Sequence, residues 1–198
     1  SLAACQSPER GPTPADETKA QQRHVDSVVS AGGVVDSILP IAEQLRRFQH
    51  GLQPVDTFHH ASASREALVA RLAVALSAKD TADIRRMVID RAEFAFLFYP
   101  SSAMSIPPYE APPQLLWGQI LASSEKGIRR LIDRLGGASI TVRDLTCPAP
   151  EHEGANQLHQ RCTVQLTAAG RPPLRGTLFG TIVERDGRFK FLGYANRI

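Results

Sequence analysis

The stretch GTIVERDGRFKFLGY, residues 180–194, decides the class of fold. Asp186-Gly187 stands between two apolar-rich runs, and Asp-Gly is a strong signal for a two-residue hairpin turn. Residues 174–184 and 189–194 therefore read as antiparallel strands. Upstream, the same period of two continues. Cys162, Val164 and Leu166 alternate with Thr163, Gln165 and Thr167, and Ile140 and Val142 alternate with Thr141 and Arg143. Such alternation puts apolar side chains on one face of a sheet. The region after Gly137 thus reads as a four-stranded antiparallel meander.

Before Gly136-Gly137, a helix stop, the period is that of helices. Pro112-Pro113 opens the longest one, to about Leu135, with a stripe of Leu116, Trp117, Ile120, Leu121, Ile128, Leu131, Ile132 and Leu135. Gly118 and Gly127 each weaken it by ~1 kcal/mol relative to Ala, so a kink near Gly127 is expected. Ile38, Ile41, Ala42, Leu45 and Phe48 form one face of a helix over 38–50, with Pro40 in its first turn. Ser64 caps a helix over 65–78 whose core face is Leu68, Leu72, Ala75 and Leu76. Asp80 caps a helix over 81–89, and Asp90 one over 91–99, each with an acid three residues on. Residues 94–98, FAFLF, are apolar all round and predict deep burial. Pro100 ends that segment, and 101–111 is a Pro-broken loop. The expected class is α+β, with N-terminal helices packed on a curved antiparallel four-stranded meander.

The chain has 198 residues, 42% hydrophobic and 22% charged, which excludes wholesale disorder, collagen and coiled coil. No apolar run reaches the ~18 residues of a membrane span. The net charge of +3 comes from 19 Arg and 4 Lys against 20 acids. That mild excess does not indicate nucleic acid, which needs a clustered basic face. Nucleotide-binding glycine loops, the serine-hydrolase elbow, the paired-histidine zinc motif and Cys-x-x-Cys are absent from the sequence. No cofactor and no metal are expected.

The N-terminus reads Ser1-Leu2-Ala3-Ala4-Cys5. Leu-Ala-Ala-Cys resembles the lipobox of bacterial lipoproteins. The resemblance implies that Cys5 carries the lipid and that Leu2, Ala3 and Ala4 are read by the signal peptidase. The alternative is a chance match in an Ala-rich chain. Gln6 after the cysteine resembles the enteric pattern sorted to the outer membrane. Residues 1–33 are then lipobox and flexible tether, Pro-broken and polar, and 34–198 form one α+β domain. With Cys5 lipidated, Cys147 and Cys162 remain to pair in an oxidising compartment. A bridge across residues 148–161, read as a loop between strands, contributes about 3 kcal/mol. Two buried free thiols are the alternative.

Helices followed by a meander, with the ending quoted above, resemble the NTF2-like (cystatin-like cone) superfamily over about 60–198. There a curved sheet wraps helices and leaves a cavity at its wide end. The superfamily hosts isomerases, dehydratases and binding domains, so the resemblance selects no single function.

Glu93, beside the apolar run, is the one candidate for chemistry: a buried carboxylate can serve as general base. Its spacing from Asp90 alternatively makes it the closing member of a capping box. Tyr99, Tyr109 and Trp117 are candidates to line a cavity mouth, or else partly buried core. His59-His60, and His152 and His159 with Glu151 and Glu153, match no metal-ligand spacing and read as solvated loops. Lys126, Arg130 and Arg134 form a basic helix stripe, facing anionic headgroups or an acidic partner, or paired to Glu125 and Asp133. These readings converge on a lipid-anchored protein of the bacterial envelope, on its periplasmic side or surface. It is expected to bind a small apolar ligand or an envelope protein partner without catalysis, as monomer or homodimer. An isomerase- or dehydratase-like enzyme using Glu93 is the alternative.

Overall fold

The computed structural model describes residues 39–196 together with Lys19, Ala20, Arg23, Asp26, Ser27 and Ser30. Cys5, the box before it and most of the expected tether lie outside the described residues. The chain divides into two units, Ser1–Leu39 and Pro40–Ile198. The second is α+β. Its helices are α1 (Ile41–Gln49), α2 (Arg65–Ala78), α3 (Thr81–Arg86), a single turn α4 (Arg91–Glu93) and the long α5 (Pro113–Leu135). Seven strands follow: β1 (Ile140–Thr146), β2 (Glu151–Glu153), β3 (Asn156–His159), β4 (Thr163–Ala168), β5 (Leu174–Gly176), β6 (Ile182–Arg185) and β7 (Arg188–Phe191).

The helix starts follow local chemistry. Ser64, Asp80 and Asp90 each accept a hydrogen bond from the backbone N–H three residues on. Pro40 stands just before α1, and its carbonyl accepts from the amides of Glu43 and Gln44. Two helices are shorter than expected. α3 stops at Arg86 because Met87 to Ile89 leave the helix to pair with β7, through Ile89 N–H to Phe191 O at 2.9 Å and Phe191 N–H to Met87 O at 2.8 Å. After one α-turn, 91–99 widens into a π-helix over Phe94–Phe98 and tightens into a 3-10 turn over Tyr99–Ser101.

The single four-stranded meander is corrected to two antiparallel sheets, ordered β1-β4-β5 and β2-β3-β6-β7. Two local events make the difference. Residues 148–161 are not a plain loop; Gly154, at φ +60°, turns β2 into β3. Residues 174–184 are not one strand: β5 ends at Gly176, and β6 begins at Ile182 in the other sheet. The Asp186-Gly187 turn forms as expected, with both residues at positive φ, 51° and 69°.

β6 and β7 are covered on both faces. Ile182, Phe189 and Phe191 join a core with Leu72, Leu131 and Val164. Val183, with Leu158, faces a second core built from Phe48, Phe94 and Trp117. The segment after β7 then docks on α5. Tyr194 N–H donates to Ser124 Oγ at 3.1 Å, and Asn196 Nδ2 donates to Gly127 O at 2.9 Å. α5 runs unbroken through Gly127 over its 23 residues. The glycine serves close approach: a Cβ there falls 1.6 Å from Tyr194 O. At Gly118 nothing lies within 4 Å.

The two glycines therefore have opposite expected effects. Gly127→Ala forces the C-terminal segment off α5 and destabilises by about 2 kcal/mol or more. Gly118→Ala stabilises by about 1 kcal/mol through helix propensity alone. Urea unfolding of the two variants beside the parent checks both signs; equal effects reject the close-approach account.

Candidate functional site

Glu93 closes the capping box on Asp90: Asp90 N–H donates to its Oε2 at 2.8 Å, and Glu93 N–H donates to Asp90 Oδ1 at 2.8 Å. It is also fully buried, at 0% exposure. Two further donors reach it. His59 N–H meets Oε1 at 2.6 Å, and Lys190 Nζ meets Oε2 at 2.7 Å. Lys190 is itself 2% exposed. Both of the readings made from sequence, cap and buried carboxylate, thus describe the same group. Its oxygens are spent on three donors, and it lines none of the clefts below. A general base needs an accessible lone pair facing substrate. Glu93 offers a fixed counter-charge.

The π-helix that follows places Phe94 at the centre of an aromatic cluster. Its ring lies 5.6 Å from Phe48, 5.6 Å from Tyr99 and 5.2 Å from Trp117, centroid to centroid. Trp117, 8% exposed, is where this cluster reaches the surface. There a groove of about 230 Å³ runs between α5 and residues 85–91. Val88, Ile89, Trp117, Ile120, Leu121 and Ile128 give it apolar walls. Leu121, expected in the buried stripe, is 45% exposed and forms part of this lining.

The polar groups lining the groove are already engaged. Arg85 pairs with Glu125 at 3.4 Å. The Arg91 guanidinium stacks 4.6 Å above the Phe48 ring. Ser124 Oγ accepts from Tyr194, and Asp90 closes the capping box. The arrangement presents neither a nucleophile–base pair nor a free carboxylate. It can take up apolar surface.

The structure separates the three cavity candidates. Trp117 lines the groove. Tyr99 lies in the core behind it, its hydroxyl donating to Ala111 O at 2.7 Å; burial, then the nearby Glu110 charge, pushes its pKa up. Tyr109 stands in the 101–111 loop at 63% exposure. Cys147 and Cys162 are joined by a disulfide, S–S 2.09 Å, that brackets the β2–β3 hairpin.

The histidine reading needs correction at one position. His59, His60 and His152 are exposed, but His159 is buried in β3 and meets Glu184 of β6, Nε2 to Oε2 at 2.8 Å. The hairpin carries it inward, and Gly154 was the sequence signal for that turn. Among the described residues no group of three or more His, Cys, Asp or Glu is placed to hold a metal ion. The basic stripe is not neutralised as one reading had it: Glu125 turns to Arg85, and Arg130 Nη1 donates to Asn196 O at 3.3 Å. Lys190 itself had no sequence signal, because a lysine between two phenylalanines reads as the solvent-facing position of a strand.

No protein-family model matches the chain, and neither a curated protein nor a solved structure matches it.

Removing one member of a buried ion pair strands the other charge and costs about 3–5 kcal/mol. Lys190→Met is expected to destabilise by about 3 kcal/mol. Adding Glu93→Gln to it removes the stranded charge and restores part of the loss. Denaturation of the double-mutant cycle reads the coupling; a double variant less stable than Lys190→Met alone contradicts it.

Proposed function

We propose that this chain is a lipid-anchored protein of the bacterial envelope, held through Cys5, whose α+β domain binds an apolar segment of a protein partner without catalysis. The Trp117 groove carries this reading: its walls are apolar, and its polar lining is already paired. Its size favours a few partner side chains over a whole small molecule, since ligand sites usually start near ~300 Å³ and this one holds about 230 Å³. The Cys147–Cys162 disulfide fits an oxidising compartment such as the envelope. Among the described residues no helix is long and apolar enough to cross a membrane. The NTF2-like cone fits the order of helices before sheet. It also fits the sharp passage from β3 to β4 through residues 160–162, where Arg161 takes φ +54°. The isomerase- or dehydratase-like alternative is disfavoured, because Glu93 is fully buried against three donors and lines none of the clefts described above.

Two measurements test the reading. Cys5→Ala, expressed with its leader in the native host, is expected to move the protein from the membrane to the soluble fraction; full retention removes the anchor. A photo-crosslinking residue in place of Leu121 is expected to trap a discrete protein adduct in cells, while the same probe in place of the exposed Val74 on α2 traps none. Identical patterns at both positions remove the groove as a binding site.

A further inference from the structure

A second concave site lies at the far end of α5 and has a different chemistry. Arg134 in the last helical turn, Arg171 in the β4–β5 turn and Arg175 on β5 surround a cleft of about 510 Å³. Its remaining lining is Leu135, Pro172, Pro173 and Leu174, with no carboxylate. An adjoining cleft of about 150 Å³ shares Pro173, Leu174 and Arg175 and adds Arg143.

The backbone holds these arginines in place. Gly170, at φ +72°, and the bond from Arg171 N–H to Ala168 O at 3.0 Å close the β4–β5 turn. Arg175 pairs in register with Gln165, which also lines the adjoining cleft. A bulge between Val142 and Asp144 leaves Arg143 as the extra residue of β1. Asp144, the acid beside it, is occupied by the Thr146 hydroxyl at 2.8 Å.

Arginines without a carboxylate partner among the described residues also occur singly on the surface, as at Arg86, Arg129, Arg161 and Arg188, but other arginines do have one. Arg46, Arg47, Arg65, Arg71, Arg85 and Arg185 each stand within ion-pair distance of a carboxylate. Among the described residues none of the four cleft arginines has one. Gathering like charges without a counter-ion is unfavourable unless an anion completes the set. Guanidinium forks match the oxygens of a phosphoryl group in bidentate fashion.

We infer that this cleft binds a phosphoryl-bearing anion. Arg134, Arg171 and Arg175 hold the phosphoryl oxygens, and the less polar remainder of the ligand lies on Leu135, Pro173 and Leu174. The site is separate from the Trp117 groove and does not depend on what that groove binds. The phosphoryl group belongs either to a soluble phosphate ester or to a phospholipid headgroup, and the two arms of the test distinguish them.

The unacylated full chain is titrated with inorganic pyrophosphate by calorimetry at physiological salt. It is separately sedimented with vesicles of phosphatidylglycerol in phosphatidylcholine. Saturable binding of either probe is expected, weakened about tenfold or more by Arg171→Gln with Arg175→Gln, since each change removes charge-assisted hydrogen bonds to the anion. Arg134→Gln, on a different element, is expected to weaken it in the same direction. Arg46→Gln with Arg47→Gln removes the same charge from α1 and is expected to leave binding unchanged. Vesicle binding displaced by pyrophosphate assigns a lipid headgroup; pyrophosphate binding without vesicle binding assigns a soluble ester. Binding of neither probe, or equal losses in the cleft and α1 variants, overturns the inference.

Discussion

The buried Glu93–Lys190 ion pair is the constraint on which the rest of the domain depends. Taking both charges out of water is expensive, and the mutual attraction offsets that only when other donors complete the carboxylate. The backbone amides of His59 and Asp90 do so. One carboxylate thereby ties together the loop before α2, the start of α4 and strand β7. Register follows from this. Lys190 lies between Phe189 and Phe191, so fixing its side chain on the Glu93 side sends both phenylalanines to the opposite face. A one-residue slip exchanges the faces and leaves a charge in an apolar core. The flank of β7 is then held by the bridges from Ser62 and Val88. An ion pair of this kind contributes more to a unique arrangement than to net stability.

The same strand carries the constraint to the groove. Just beyond β7, Tyr194 reaches from α5, where its amide meets Ser124, to α3, where its hydroxyl donates to Ile84 O at 2.9 Å. Burial pushes the pKa of that hydroxyl well up, so it stays a donor. The groove walls belong to these two elements: Ile120 and Leu121 on α5, Val88 and Ile89 just after α3. Tyr194 is the strut that fixes their separation. Gly127 is what allows its backbone close enough to act as one.

Sequence reading reached the features that local chemistry controls. Ser64, Asp80 and Asp90 cap where side-chain geometry demands it, and Asp186-Gly187 turns because both residues tolerate positive φ. The change of period after Gly137 separates helices from sheet. What escaped depends on partners distant in sequence. Residues 87–89 are strand-like only because β7 lies beside them, and Lys190 is interior only because Glu93 waits there. The division of 174–184 between two sheets has no periodicity of its own. At the site, Trp117 was legible from its aromatic character, whereas Val88 and Ile120 resemble any core residue until the groove is seen. The arginine cleft was invisible for a similar reason. Arg134, Arg143, Arg171 and Arg175 are scattered along the chain, and only Arg134 entered a recognisable stripe.

Helix α5 links the two clefts, and its length determines how they relate. Seventeen residues separate Trp117 from Arg134, which at 1.5 Å per residue is about 25 Å of unbroken helix. The Debye length at physiological salt is about 8 Å. Charge in the arginine cleft is therefore screened well before it reaches the tryptophan, and the two sites do not compete electrostatically. Coupling through the helix needs an element with two discrete arrangements. The segment between the sites is instead pinned by Gly127, Ser124 and Asn196. The physical expectation is independence: an anion in one cleft leaves apolar affinity in the other unchanged, and only an extended partner that is both apolar and anionic gains from their common axis.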